Sequence, residues 1–194
     1  MSDSHTGESI PSFFDEVVRA TPGKSNLERC IQCGSCGGSC PSGPDMEHTP
    51  RHLFELIQAG FKEEVLSSNS PWYCVSCYYC MARCPQDVHI TDLMYTLKRL
   101  AIQEGYCSKS TASDAPDFSE TFIDYVEEYG RSFELGLATR YHLRHHPIGA
   151  LKKMAFGLNM FRKGRLDLKP KRIKNMSQLK AILAKAKELG GSEQ

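Results

Sequence analysis

The chain has 194 residues, 40% of them hydrophobic and 24% charged, with a formal net charge of +1. That balance excludes disordered and fibrous classes and suits one compact domain or two small ones. The longest uncharged run, Val65 to Ala82, contains Ser67, Ser68, Asn69, Ser70 and Pro71, so no membrane-spanning helix is expected.

The first fourteen residues are polar and slightly acidic, without the basic start and apolar stretch of a secretory signal; cytoplasm is therefore the expected location. From Ile10 to Ala20, Phe13, Phe14, Val17 and Val18 recur at helical period until Pro22-Gly23, giving an N-terminal arm and helix over 1–22. A first cysteine block, Cys30, Cys33, Cys36 and Cys40, is followed by Pro41. Thr49-Pro50 then opens one long helix whose Leu53, Phe54, Leu56, Ile57, Phe61, Val65 and Leu66 form a wide apolar stripe. A second block, Cys74, Cys77, Cys80 and Cys84, precedes Pro85. Thr91 is expected to cap a third helix that carries Leu93, Met94, Leu97, Leu100 and Ala101 and stops at Gly105.

Residues 23–105 thus form one expected domain, and the small, polar segment 106–117 a linker. Residues 118–194 are expected to be a helical basic extension. Phe118, Phe122, Val126, Tyr129 and Phe133 place an apolar stripe on one helix to Tyr141, Ile148 to Phe161 is a basic amphipathic helix, and Ser177 caps a last helix that ends at Gly190-Gly191. Strand signals are almost absent, so the fold class is mainly α.

The small net charge hides a split. Residues 1–137 hold ten Lys/Arg against twenty Asp/Glu, and residues 138–194 hold fourteen against three. Such asymmetry concerns partners. The basic end has few aromatics and no recognition motif for nucleic acid, so an acidic protein surface is the better match.

Eight of the nine cysteines repeat one spacing, Cys-x2-Cys-x2-Cys-x3-Cys-Pro, 44 residues apart. Disulfides need an oxidising compartment, for which nothing here argues. Tetrahedral zinc is the stronger rival, but it usually takes two Cys-x2-Cys pairs on separate segments. A cubane cluster instead wants three thiolates from one tight turn and a fourth from elsewhere. The duplicated run is the pattern for two [4Fe-4S] clusters in which the fourth cysteine of each run ligates the other cluster. Cluster one then takes Cys30, Cys33, Cys36 and Cys84, and cluster two takes Cys74, Cys77, Cys80 and Cys40. The architecture becomes an α-helical ferredoxin domain with helical N- and C-terminal extensions.

Pro41 and Pro85 turn the chain away after the last ligand without stranding a donor. Gly34, Gly37 and Gly38 let the first loop aim amides at sulfur, whereas Val75, Tyr78, Tyr79 and Met81 are expected to make the second cluster's surroundings bulkier and drier and its potential lower. The ninth thiol, Cys107, is expected to be a bystander. His142, His145 and His146 share helical spacing, but Arg140 and Arg144 disfavour a cation there.

With CIQCGSCGGSCPSG at 30–43 and WYCVSCYYCMARCPQDVHITDLMYTLKRLAIQEG at 72–105, the sequence resembles the dicluster iron-sulfur C-subunit of heterodisulfide reductase and of the heterodisulfide-reductase-like complexes of bacterial sulfur metabolism. The tail from Gly130-Arg131 onward is longer than in the short methanogen form. The resemblance implies an electron relay between a flavin/iron-sulfur partner, the A-subunit, and a catalytic, disulfide-handling partner, the B-subunit. It implies no catalytic site in this chain, which agrees with the lack of a Gly-rich nucleotide fingerprint or a Cys-His or Ser-His arrangement. A free ferredoxin-type shuttle and the iron-sulfur component of a fumarate-reductase-like or glycolate-oxidase-like complex are the alternatives.

Overall fold

Ser12 opens the first helix with a reciprocal cap: its Oγ accepts from the Asp15 amide at 3.2 Å, and the Asp15 carboxylate accepts from the Ser12 amide at 3.2 Å. This helix, α1 (Phe13–Ala20), buries Phe13 and Val17. In this computed structural model, residues 12–109, 114–145, 157–164 and 169–191 are described. The expected start at Ile10 lies outside them. None of the described residues is in a strand, and the fold is mainly α.

The region between the cysteine blocks departs from the single helix expected. It forms α3 (Pro50–Ala59), preceded by the Thr49 cap, and α4 (Lys62–Ser67); a short helix earlier in the chain, α2 (Ser35–Ser39), belongs to the first block. Gly60 causes the break, because its φ of +83° is a conformation that favours glycine and ends α3. Phe61 is thereby turned out of the apolar stripe and is 55% exposed. The second block contains α5 (Tyr79–Ala82), and α6 (Ile90–Gln103) follows. Thr91 does not cap α6; it is the helix's second residue and is buried in the core, while His89 occupies the cap position.

One core joins these helices. Val17, Leu27, Leu53, Phe54, Ile57, Val65, Leu66, Leu93, Met94 and Leu97 are almost fully buried within it. Lys62 ties three helices at its edge, with Nζ 2.9 Å from Glu16 and 2.8 Å from Glu104 just past α6.

Two hydrogen-bonded clasps hold the cysteine blocks from outside. Ahead of the first block, Asn26 donates its side-chain amide to the Asp87 carbonyl at 2.8 Å, and the Ser25 carbonyl accepts from the His89 amide at 2.9 Å. Ahead of the second, the Asn69 side chain accepts from the Glu47 amide at 2.8 Å and donates to the Asp45 carbonyl at 3.2 Å, while Ser70 Oγ accepts from the His48 amide at 2.8 Å. The entry to each block is therefore bonded to the exit from the other.

The chain divides into two compact units at Ser113/Asp114. In the second, α7 (Asp114–Tyr129) takes in residues 114–117, and α8 (Glu134–His145) follows, so the single helix expected to reach Tyr141 is two. Among its described residues the buried side chains are Thr121, Tyr125 and Leu137, whereas Phe118, Phe122 and Ile123 are 41–55% exposed. The expected apolar stripe is thus only partly covered. Gly136 lets α8 approach, since any Cβ there would collide with Tyr125 and Phe133; the Arg140 guanidinium lies 4.2 Å from the centre of the Tyr125 ring. Of the amphipathic stretch Ile148 to Phe161, residues 148–156 lie outside the described residues, and 157–162 are helical with Leu158 and Phe161 exposed. A C-terminal helix, Met176–Gly191, starts before Ser177 and includes both glycines expected to end it. Among the described residues no helix is long and apolar enough to cross a membrane.

Candidate metal centre

The two cysteine blocks adopt the same unusual backbone. Gln32 and Ser76, each just before the second cysteine of its block, have φ of +56° and +54°; Gly34 and Tyr78, each just after it, have φ of +80° and +61°. Left-handed residues on both sides of a cysteine turn the loop tightly, and tight turns of this kind form amide concavities that suit anionic sulfur. A left-handed residue other than glycine costs roughly 1–2 kcal/mol, so Gln32, Ser76 and Tyr78 are held there by the loop around them. Each loop then enters a short helix in which Cys36 of α2 and Cys80 of α5 occupy the same second position, and the two helices pack together.

Cys30, Cys33 and Cys36 of the first block and Cys84 of the second line one open-mouthed cavity. Ile31, Phe54, Val88 and Ile90 supply its apolar wall. Cys40 leaves its own block's cavity and lies among the second block's thiols, near enough to Cys74 and Cys77 for their thiolate charges to disfavour its own; Cys80 feels Cys74, Cys77 and Cys40 in the same way. Cys36 is likewise near enough to Cys30 of its own block and to Cys80 of the other for their charges to disfavour its own. The eight cysteines of the two blocks are free thiols.

Burial dominates the thiol chemistry. It pushes Cys36 up to about 11 against the opposing Gly37 amide, and it raises Cys40 and Cys80 as well. The exposed Cys33 is shifted the other way by the Ser35 hydroxyl, 3.4 Å from its sulfur. Backbone amides reach sulfur in both halves: Gly37 at Cys36, Met81 at Cys80, and Val88 at Cys84, 3.4 Å away. Gly37 supplies the contact expected of the first loop's glycines, while Gly34 supplies its left-handed turn.

The second loop is bulkier but not drier. Val75, Tyr78 and Tyr79 are 53–67% exposed, and Cys77, like Cys33, is exposed. Two tyrosines that follow a left-handed turn outward cannot seal a cavity, which removes the reason given for a lower second potential. Cys107 is half-buried against the core. His145 pairs with Asp117 at 3.0 Å and His142 lies against Tyr141, whereas His146 is outside the described residues. Among the described residues no three His, Cys, Asp or Glu side chains converge on a single-ion site.

Sequence reasoning missed Asn26 and Asn69. The signal was present: a Ser-Asn pair, Ser25-Asn26 and Ser68-Asn69, precedes each block, so the repeat extends beyond its cysteines.

The donor chemistry fits an iron-sulfur cube. Soft thiols ring a cavity backed by apolar side chains, its lining holds no carboxylate or imidazole, and amides point at the sulfurs. Buried thiols held in the protonated range need a metal to displace the proton, as iron does on binding.

A family model described as a 4Fe-4S dicluster domain matches residues 26–88. That segment resembles the dicluster family over 63 of the chain's 194 residues. Its ends fall at the outer clasp, where Asn26 bonds Asp87. The chain is also 39% identical to an iron-sulfur C-subunit of the CoB–CoM heterodisulfide reductase of Methanocaldococcus jannaschii, over 48% of this chain and 53% of that protein. It is 39% identical to the iron-sulfur C-subunit of the same reductase in Methanopyrus kandleri, over 52% and 49%. With the C-subunit of the ferredoxin/F420H2-dependent CoB–CoM heterodisulfide reductase of Methanosarcina acetivorans the identity is 43%, over 41% and 49%. The chain spans about half the length of these relatives. Together with the dicluster domain they support an iron-sulfur electron-transfer role.

Proposed function

We propose that the dicluster domain carries two [4Fe-4S] clusters with crossed fourth ligands and serves as the electron relay of a multi-subunit oxidoreductase in the cytoplasm. Cluster one is held by Cys30, Cys33, Cys36 and Cys84, and cluster two by Cys74, Cys77, Cys80 and Cys40. The observation that carries the reading is the cavity lined by three thiols of one block and the last thiol of the other. Reciprocal clasping of entries and exits supports it, because it brings the tail of each block beside the head of its counterpart.

Bound in these sites, the clusters supply one-electron redox chemistry without atom transfer. The chain's own residues hold them close together, aim amides at their sulfurs and leave Cys33 and Cys77 near the surface, where an electron can enter or leave. The proposed partners, which follow from the sequence resemblance, are a flavin/iron-sulfur protein that delivers or receives electrons and a catalytic protein that handles a disulfide; the relatives' names support membership of a heterodisulfide reductase with more than one subunit. The basic second unit is the candidate contact with an acidic partner surface.

Anaerobic native purification tests the reading. The expected product is brown, contains about eight iron and eight acid-labile sulfide per chain, and brings a flavoprotein and a second cysteine-rich protein with it. A colourless protein with bound zinc, or one that purifies alone, contradicts it.

A further inference from the structure

The two loops share a backbone but not the side chain at the left-handed position before the second cysteine. In the second loop, the Ser76 hydroxyl is engaged, donating to the Tyr95 hydroxyl at 2.8 Å. In the first loop, the Gln32 side chain lines the same cavity as Cys30, Cys33, Cys36 and Cys84, and both its amide nitrogen and its amide oxygen are buried without any hydrogen-bond partner. Leaving a buried amide unpaired costs about 1–3 kcal/mol. Placing glutamine in a left-handed conformation adds a further cost, so the residue is unfavourable twice over unless something in the cavity completes it.

We propose that the Gln32 side-chain amide donates a hydrogen bond to a sulfur of cluster one and thereby raises that cluster's reduction potential. This rests on the cluster assignment above. The donor set around the cavity offers sulfur as the acceptor, and the Gln32 side-chain amide carries N–H groups that nothing else in the cavity engages. Reduction adds one electron to the cluster and moves no proton. An N–H dipole aimed at sulfur stabilises the more negative, reduced state over the oxidised one, so its removal must lower the potential. Gln32 is a positioning and tuning residue, not a ligand: it forms no bond to iron and its loss need not empty the site.

The test uses the intact, cluster-loaded protein. Gln32→Met keeps the length and unbranched shape while deleting the donor. In an anaerobic redox titration followed by electron paramagnetic resonance, the signal abolished by Cys33→Ala should shift to lower potential in Gln32→Met by about a tenfold change in its reduction equilibrium, close to 59 mV for one electron. The signal abolished by Cys77→Ala should stay where it is. Ser76→Ala, the matched change in the second loop, should move neither signal comparably. An unmoved first midpoint with both clusters assembled overturns the proposal, and so does an equal shift of both. If Gln32→Met fails to assemble cluster one, hyperfine spectroscopy of Gln86→Met protein with 15N-labelled glutamine decides, because Gln86 lines the same cavity: coupling between a glutamine side-chain nitrogen and the reduced cluster upholds the assignment, and its absence refutes it. Unsubstituted protein without iron and sulfide defeats the parent reading instead, so the two failures are distinguishable.

Discussion

Cys84 lies beyond the second block's helix in sequence yet lines the cavity of the first block, and that single placement makes the strongest residue-scale prediction. Cys84→Ala should remove the cluster held by Cys30, Cys33 and Cys36 and leave the other. The iron content should fall by about half, and the surviving paramagnetic signal should match that of Cys33→Ala rather than that of Cys77→Ala. A match to Cys77→Ala would show uncrossed ligands. Gly34 gives a second, purely conformational case. Its φ is +80°, and an added Cβ meets nothing closer than the Arg51 side chain at 3.7 Å. Gly34→Ala therefore costs the left-handed backbone penalty alone, about 1 kcal/mol, visible as a lower thermal midpoint of the loaded protein with unchanged iron content. Tyr78 occupies the equivalent turn with a full side chain, so the backbone itself does not demand glycine; the loop tolerates strain where cysteine spacing leaves no other path.

At the scale of elements, the clasps turn two sequence repeats into one interlocked body. Asn69 is only 8% exposed, and its side-chain amide serves the Glu47 amide and the Asp45 carbonyl at once. Asn69→Ala strands both, and should destabilise the first unit by about 1–3 kcal/mol and hasten cluster loss, as measured by anaerobic denaturant titration alongside the loss of visible absorbance. Lys62 makes a different kind of joint. Its partial burial opposes the charge, but Glu104 and Glu16 outweigh that and hold its pKa above the ordinary 10.5. A raised folded pKa means the stabilisation is whole below 10.5 and disappears as pH climbs through the higher folded value. With the side chain still 31% exposed, Lys62→Met should cost no more than about 1 kcal/mol. That deficit should be constant from about pH 7 to 9 and shrink as pH climbs past 10.5, which circular dichroism melts of both proteins would reveal.

Legibility follows the same division. The cysteine spacing and the apolar periods made the helical class and the eight candidate sulfurs readable, because local patterns report local geometry. The break at Gly60 was missed since Phe61 continues the apolar period, and only tertiary packing decides that it faces outward. Thr91 looked like a cap because it precedes an apolar run, yet the core takes its side chain and the helix starts at Ile90. The orphaned amide of Gln32 was invisible for another reason: a glutamine between cysteines signals nothing until its surroundings are known.

For the whole molecule, charge must be counted by unit and not by run of sequence. Residues 1–113 hold nine basic and thirteen acidic side chains, and residues 114–194 hold fifteen and ten. The acidic α7 spends part of the basic tail within its own unit: Asp124 pairs with Arg144 at 3.2 Å, Glu127 with Lys187 at 2.7 Å, and Glu128 with Arg140 at 2.9 Å. On the proposed reading, each all-cysteine cluster adds about two negative charges to the first unit, so the contrast between units grows on loading. Exposed Phe118, Phe122, Leu143 and Ile182 add apolar area to the basic unit, a combination that binds acidic surfaces with hydrophobic centres. Ending the chain after Ser113 should then leave iron content and both midpoints intact, since every candidate ligand and the whole buried core around them lie in the first unit. The same truncation should abolish co-purification with the partner proteins. In the full-length protein, association should weaken several-fold between about 50 and 500 mM salt, because the Debye length falls below the spacing of exposed charges over that range. Retention that ignores both the truncation and the salt would move the docking face onto the dicluster unit, where Val75, Tyr78 and Tyr79 stand exposed around Cys77.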